Sequence, residues 1–283
     1  MFRLAPRWLF TGPALWRAVG LAVAVVLTSS GQALADGSQE GIATEANPPT
    51  PIWSVNYYHG SVVRDQDPDY SACTAAATMS MLNLIALSTD GEQPLSRSSS
   101  LPQLSLIWQV DTSYDTQERI LEYERENMTM VLSAPGTDPH GWRNALNYFG
   151  YGSMRAGVYA DAAYVSFEDA AAAAVRSLAL TGKPVGILGW FGGHAQYITG
   201  YRVQGEDPRV SDKYTILGVY LTDPLQGDYM ANTFVTYSTW KDGPLYLRFS
   251  PYYQNESPYR DPVDGHTGYS EWWGNFVIID AVK

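Results

Sequence analysis

Apolar residues recur at helical spacing in the first two thirds of the chain. Gly150 is expected to end the third of these stretches and Gly182, followed by Pro184, the fourth, because glycine is the usual residue just past a helix end. Ser166 is expected to cap the fourth stretch at its start, with Asp169 three residues on. The predicted helices cover Thr74 to about Leu87, Thr116 to about Met128, GTDPHGWRNALNYFGYG and SFEDAAAAAVRSLALTGKP.

Branched and aromatic residues replace the helical pattern from Val185 onward, and one earlier run of this kind covers Ile52 to Val63. Such runs, separated by turn residues, predict β-strands. Helices that precede a series of strands are typical of the α+β class with an antiparallel sheet. The later strands are predicted over VGILGW, HAQYITGY, TILGVYLT, FVTYSTW and WWGNFVIIDAV.

The chain begins with the pattern of a secretory signal peptide. Arg3, Arg7 and Arg17 belong to its basic start, the apolar run AVGLAVAVVL follows, and Ala33-Leu34-Ala35 supplies the small residues of a cleavage site. The apolar run is too short for a comfortable transmembrane helix, and no later run is long enough for one. We therefore predict cleavage after Ala35 and a secreted protein, extracellular or periplasmic, with no membrane span in the mature chain.

The predicted organisation is a signal peptide at residues 1–35, a polar, proline-ended disordered leader at 36–51, and one domain at 52–283. Loss of the signal peptide changes the formal charge from −11 to −14, because that segment carries three arginines and no acids. An acidic surface repels nucleic acid and anionic membranes, so neither is an expected partner.

Cys73 is the only cysteine of the 283 residues, and it lies where the first helical pattern starts. Cysteines of exported proteins usually pair as disulfides. A single one is a buried small hydrophobe, an intermolecular link or a reactive thiol. At a helix N-terminus the unpaired N–H groups and the helix dipole favour a thiolate, which supports the reactive alternative.

A turn-rich stretch joins the strands HAQYITGY and ILGVYLT, which predicts an antiparallel hairpin. If Tyr201 faces Ile216, then His194 lies opposite Asp223, and the two side chains project from the same face of the sheet. A slip of one residue would break this alignment. The hairpin therefore predicts a histidine that is oriented by a carboxylate.

Together these residues predict the chemistry of a cysteine hydrolase. A Cys73 thiolate would attack a carbonyl carbon, His194 would transfer the proton, and Asp223 would fix the tautomer of the ring. The tetrahedral oxyanion would accept hydrogen bonds from the backbone N–H of Cys73 and from the side-chain amide of Gln66, seven residues upstream.

The motifs CTAAATMSML preceded by a glutamine, GKPVGILGWFGGHAQYITGY and LTDPLQG resemble those of the bacterial papain-like cysteine peptidases. They are most similar to the branch of the bacteriocin-leader (double-glycine) peptidases and their extracellular relatives, over about Val55 to Ala281 with gaps. The resemblance implies a papain-like α+β fold in which the helix carrying the nucleophile packs on an antiparallel sheet. It also implies a peptide or protein substrate and no cofactor. The roles it assigns are oxyanion donor to Gln66, nucleophile to Cys73, base to His194 and orienting carboxylate to Asp223.

The sequence departs from this pattern at one position beside the nucleophile. Thr74 stands where many of these peptidases have glycine or tryptophan, and a β-branched residue there is expected to crowd a substrate. Asp228 is a rival for the carboxylate role but lacks the strand-end position of Asp223. Two alternatives to a hydrolase stay open: a non-catalytic papain-like module that binds a peptide or cell-wall partner, and a structural secreted domain with a buried cysteine.

Other candidate sites are weaker. His59, His140 and His266 have no ligand spacing relative to one another, so no metal is predicted. A phosphate-binding glycine loop is absent from the sequence. The polar, aromatic stretch 250–275 is interpreted as a substrate wall, as a cell-surface contact or as a solvent-facing insertion before the last strand.

Overall fold

The computed structural model describes residues 50–60, 63, 65–66, 71–88, 114–129, 136–225, 230–242, 260–265 and 269–283. All of them belong to one compact unit, Pro48–Lys283. The predicted signal peptide at 1–35 and nearly all of the predicted leader at 36–51 lie outside the described residues.

The described residues form an α+β fold with seven strands and six α-helices. None of the helices within these ranges is long and apolar enough to cross a membrane. In chain order the elements are β1 (Ile52–Asn56), α1 (Cys73–Ser88), α2 (Tyr114–Glu126), α3 (Pro139–Tyr151), β2 (Tyr159–Tyr164), α4 (Phe167–Thr181), β3 (Val185–Gly189), β4 (His194–Gly205), β5 (Tyr214–Thr222), β6 (Thr233–Thr236), α5 (Tyr237–Asp242), α6 (Tyr269–Trp272) and β7 (Phe276–Ala281).

The seven strands form a single antiparallel sheet, six of them in the order β2-β7-β3-β4-β5-β6, and the seventh, β1, pairs with β4. β4 is the longest strand, and it has three partners: β5 along one edge, and β3 and then β1 along the other. The backbone of His194 pairs with Gly189 of β3, and β4 gains its second neighbour, β5, from Tyr197 onward.

Helices cover both faces of the sheet. Residues of α1, α2 and α3 pack with Leu188, Tyr197 and Ile279 in one buried cluster. Residues of α4 and α5 pack with Ile187 and Ile278 in a second cluster on the other face. The alternation of neighbouring strand residues between the two clusters follows from the two-residue period of a strand.

The predicted helix ends are confirmed for α4 and wrong for α3. The Ser166 side chain accepts a hydrogen bond from the Asp169 N–H at the start of α4, and Gly182 ends that helix with φ 66°. Gly150, in contrast, lies inside α3, which ends one residue later and is followed by Gly152 with φ 80°. A Cβ at Gly150 would lie 2.6 Å from the Leu82 Cδ2 atom, so this glycine lets α3 approach α1 closely.

Strand predictions failed where tertiary packing decides the structure. The stretch FVTYSTW belongs to a strand, Thr233–Thr236, only as far as Thr236, and α5 follows. Trp240 of α5 is fully buried, with its ring centroid 4.9 Å from that of Phe167, and this packing favours the helix. The strand Tyr159–Tyr164 was not predicted, since its sequence, YADAAY, has little apolar alternation of its own. It exists through its pairing with the distant strand Phe276–Ala281.

We expect Gly186→Ala to lower the free energy of unfolding by about 1–3 kcal/mol, the usual cost of overpacking a core. A Cβ at Gly186 would lie 2.5 Å from Cη2 and 2.7 Å from Cζ2 of the buried Trp142 side chain. The matched test is the same change in a Trp142→Phe background, which removes those two ring atoms and should reduce the penalty. Urea unfolding of all four proteins measures it; an equal penalty in both backgrounds would contradict this packing.

Candidate active site

Cys73 is the first residue of α1, as the sequence predicts, and its side chain is half-buried. The first helical hydrogen bond of α1 runs from the Ala76 N–H to the Ala72 carbonyl at 2.9 Å. The N–H groups of the preceding first-turn residues therefore have no acceptor within the helix. Alanine at position 72 has no side-chain oxygen to cap them, so the helix start leaves backbone donors around the thiol.

His194 links this thiol to a carboxylate. Its Nε2 atom lies 2.6 Å from Asp223 Oδ1, and the Cys73 side chain lies close enough to the ring to raise the pKa of His194. The ring is buried, with 3% of the residue exposed. Since Nε2 faces the carboxylate, Nδ1 is the nitrogen left for the sulfur. The structure thus brings together three side chains that the sequence proposes as nucleophile, base and orienting acid.

The predicted register between β4 and β5 is wrong. Tyr201 pairs with Val219 and not with Ile216, whose partner is Val203. Two register shifts within the pair, typical of β-bulges, change the alignment along the strands. A register derived from loop closure alone assumes a regular ladder, and this assumption fails here.

The contact between His194 and Asp223 nevertheless forms. Tyr197 pairs with Thr222, so the next pair in this register would place Asp223 opposite Gln196. His194 lies two residues further along the strand on the same side, from where its ring reaches the carboxylate diagonally.

Asp223 is almost fully buried, with 1% of the residue exposed, and its carboxylate has three donors. Oδ1 accepts from His194 Nε2 and, at 2.8 Å, from the Leu225 N–H, while Oδ2 accepts from Gln196 Nε2 at 2.7 Å. Burial alone would raise the pKa of Asp223, but the hydrogen bond and charge of His194 with the other donors hold it below its ordinary value. Sequence reasoning did not identify Gln196, although its position two residues after His194 places both on one side of the strand.

Burial of His194 works to lower its pKa, yet the net pKa is about 9, above the ordinary 6.5. The hydrogen bond to Asp223 makes the largest opposing contribution, and the interaction with Cys73 adds to it. The fold thus stabilises an imidazolium between a carboxylate and a thiol.

Trp190 covers the imidazole from one side. The two rings stack at 4.6 Å between centroids, with 25° between their planes. Trp190 lies in the short 3₁₀ turn Trp190–Gly192 between β3 and β4. Its φ of 48° is a strained backbone conformation for a bulky residue. Gly192 has φ 85° in the same turn, a left-handed backbone conformation that favours glycine. Sequence reasoning did not identify Trp190, because no pattern signals the strained backbone that aims its ring.

Gln66 is tied to the same end of the sheet. Its backbone N–H donates to the Pro224 carbonyl at 2.9 Å, directly after Asp223. From the helical side, the Gln117 side chain donates to the Asp65 carbonyl at 3.1 Å. The structure thus brings the backbone of Gln66 beside the carboxylate strand end, while the role of its side chain as an oxyanion donor stays a prediction.

Thr74 faces the interior of the protein and not the thiol's surroundings, which corrects the expectation that it crowds a substrate. Its hydroxyl donates to Glu124 Oε2 at 2.5 Å, and the Thr78 hydroxyl donates to Oε1 at 3.1 Å. Glu124 has no exposed surface, and burial raises its pKa to about 8 although the two hydroxyls oppose the shift. The neighbouring residue Arg125 donates to the Ser71 hydroxyl at 2.8 Å. Two residues of α2 thus hold the start of α1.

Two other predicted features fall outside the described residues. Asp228, the rival carboxylate, belongs to the stretch 226–229, and the aromatic stretch 250–275 is described only at 260–265 and 269–275.

Comparisons with protein-family models, with curated proteins and with solved structures gave no match. The resemblance to papain-like peptidases therefore stays a prediction from motifs. The function has to be argued from the geometry around Cys73, His194 and Asp223.

We expect Glu124→Gln to remove a pH dependence of stability between pH 4.5 and about 8, the ordinary and the folded pKa of Glu124. Because the folded protein binds this proton more tightly than the unfolded chain, stability is complete below the lower value and is lost as pH rises. The loss is up to about 1.4 kcal/mol per pH unit in that window. Arg125 and Asp138, the charged groups that act on Glu124, are unchanged in the variant.

Urea unfolding from pH 5 to pH 8 measures this difference, with Glu122→Gln, an exposed glutamate of the same helix, as the matched control. The control should retain the slope of the native protein. Parallel stability curves for the native protein and Glu124→Gln would show that the buried carboxyl does not titrate as described.

Proposed function

We propose that this protein is an exported cysteine hydrolase of peptide or amide bonds with a papain-like arrangement of its catalytic groups. The observation that carries the proposal is the His194 ring, hydrogen-bonded to the buried Asp223 carboxylate and close enough to the Cys73 thiol for the thiol to raise its pKa. The half-buried state of Cys73 supports it further, since a nucleophile must be reachable by a substrate. The signal pattern at residues 1–35 supports the export.

In the first step the Cys73 thiolate attacks the carbonyl carbon of the substrate, and the carbonyl π electrons move to the oxygen. The backbone N–H groups at the start of α1 stabilise that oxyanion, with the Gln66 amide as a second donor. The tetrahedral intermediate then collapses, the C–N bond breaks, and the imidazolium gives its Nδ1 proton to the departing amine. A thioester to Cys73 remains.

In the second step water attacks the thioester carbon and gives a proton to Nδ1 of the now neutral His194. The C–S bond breaks, the carboxylic acid leaves, and the thiolate and imidazolium are restored. Asp223 stays ionised throughout and keeps Nε2 protonated by accepting its hydrogen bond. No cofactor takes part.

The non-catalytic binding module loses its main support with the position of Thr74. Thr74 and the aromatic stretch 250–275 are the features that would support this alternative, and the Thr74 hydroxyl is bonded to the buried Glu124. The buried-cysteine alternative requires a sealed sulfur, whereas Cys73 keeps exposed surface. Within the part of the chain that the structure describes, no specific observation favours a second function.

We expect His194→Ala to slow the alkylation of Cys73 by iodoacetamide at pH 6.5 about tenfold or more. An ordinary thiol is only about 1% thiolate at this pH, whereas a neighbouring imidazolium keeps more of it in the reactive form. His59→Ala, at an exposed histidine, is the matched control and should leave the rate unchanged. Thermal unfolding of both variants verifies that the rates belong to folded protein. Equal rates for the native protein and His194→Ala would refute the activation of the thiol.

We expect Cys73→Ala to abolish cleavage of a peptide library, by about 10³-fold or more, because no other group can form the covalent intermediate. The assay includes a reductant, since an exposed thiol oxidises outside the cell. Mass spectrometry of the products identifies the cleaved bond. If the native protein binds library peptides but leaves them intact, as Cys73→Ala does, the protein is a binding module.

A further inference from the structure

A second buried polar cluster lies on elements other than those that carry Cys73, His194 and Asp223. His140 lies in the first turn of α3 and Asp161 in β2, while Asp261 and Asp264 belong to the described turn 260–265. The side chains of His140, Asp161 and Asp261 are at most 4% exposed. The proposed hydrolase mechanism uses none of these residues.

Among the described residues, Arg143 is the cation that contacts all three carboxylates of this cluster. Arg143 Nη1 lies 2.6 Å from Asp161 Oδ1 and 3.1 Å from Asp264 Oδ2, while Nη2 lies 2.6 Å from Asp261 Oδ2. Three carboxylates and one guanidinium leave a formal charge of −2 when His140 is neutral. Unbalanced charge in a buried site is costly, so the cluster favours a further cation.

The tautomer of His140 follows from its hydrogen bonds. The Thr129 hydroxyl donates its single proton to Asp138 Oδ2 at 3.0 Å, so it can only accept from His140 Nδ1, also at 3.0 Å. Nδ1 therefore carries the proton of the neutral ring, and Nε2 presents a lone pair.

The Nε2 atom of His140 points into the cluster. It is buried and has no hydrogen-bond partner among the described residues. Its nearest charged neighbours are Asp161 Oδ2 at 3.5 Å and Asp264 Oδ2 at 3.9 Å. A nitrogen lone pair that faces carboxylate oxygens is repelled unless a positive species lies between them.

We propose that His140, Asp261 and Asp264 bind a divalent transition-metal ion of the zinc type. One ligand atom from each of them lies within 4.8 Å of the other two. Two bonds of about 2.0–2.2 Å, as zinc forms with nitrogen and oxygen, span the 3.9 Å between His140 Nε2 and Asp264 Oδ2. A double positive charge neutralises the cluster, and the 36% exposed side chain of Asp264 gives the ion a route from solvent.

The surroundings of these ligands match those of a metal site. The chain from Asp138 through Thr129 to His140 holds the imidazole with Nε2 directed to the ion. Asp261 is held by Arg143 and by the Asn144 side chain, whose Nδ2 lies 3.2 Å from Oδ1. The nitrogen ligand favours zinc over calcium and magnesium, which prefer all-oxygen sites. The ion would fasten the 260–265 turn to α3.

The test is titration of tag-free protein with Zn²⁺ by calorimetry, in a Cys73→Ala background so that the thiol and His194 cannot bind the ion together. We expect one Zn²⁺ per chain and a higher melting temperature in its presence, with Ca²⁺ binding at least about tenfold more weakly. Asp264→Asn should weaken Zn²⁺ binding at least about tenfold, because a neutral amide is a poor zinc ligand. Asp212→Asn, at an exposed acid outside the cluster, is the matched control and should bind like the parent.

His140→Gln is the second variant, and it should also lose the ion. The melting temperatures of the metal-free variants verify that each is folded. The proposal is overturned if the parent binds no Zn²⁺, which is the outcome when a proton occupies Nε2 in place of the ion. It is equally overturned if Asp264→Asn and His140→Gln bind Zn²⁺ as the parent does.

Discussion

The hydrogen bond of 2.6 Å between His194 and Asp223 is the interaction on which the candidate site depends. A carboxylate that is 99% buried is tolerated only when its oxygens are fully satisfied. Its donors come from two positions of β4 and from the Leu225 N–H after β5. The buried charge therefore requires the start of β4 and the end of β5 to meet in one geometry, and that geometry places the imidazole at this end of the strands.

A second buried acid, Glu124, fixes the helix that brings Cys73 to this end of the strands. Glu124 of α2 accepts the Thr74 hydroxyl directly after Cys73 and so fixes the first turn of α1. The two acids differ in their pKa shifts: that of Asp223 is lowered because a cationic ring faces it, whereas burial raises that of Glu124 to about 8 because it has only hydroxyl donors. One acid thus supplies a fixed charge to the site, and the other acts near neutral pH as a largely protonated anchor.

What the sequence predicts correctly here is mostly local. The cap at Ser166 and the end at Gly182 depend on residues within one turn, and both are confirmed. The predicted helix end at Gly150 was wrong, because this glycine does not end α3. A glycine is required there by the close approach of α1, which comes from far along the chain. The register of β4 and β5 was wrong because bulges are a property of the paired strands. The contact of His194 with Asp223 survived that error since side chains on one sheet face reach diagonal as well as direct neighbours.

The residues that sequence reasoning missed are those whose partners come from far along the chain. No cluster of histidine with acidic residues is visible around His140 in the sequence, because its neighbours are aspartates from β2 and from the 260–265 turn. The two buried clusters differ in how their charge is balanced. Beside Asp223 the balancing charge is a proton on His194, which can be transferred in a reaction. Around Arg143 one fixed cation faces three carboxylates, so no proton shared between two side chains restores neutrality, and an ion of charge +2 does. The first balance suits acid–base chemistry, and the second suits the retention of a metal.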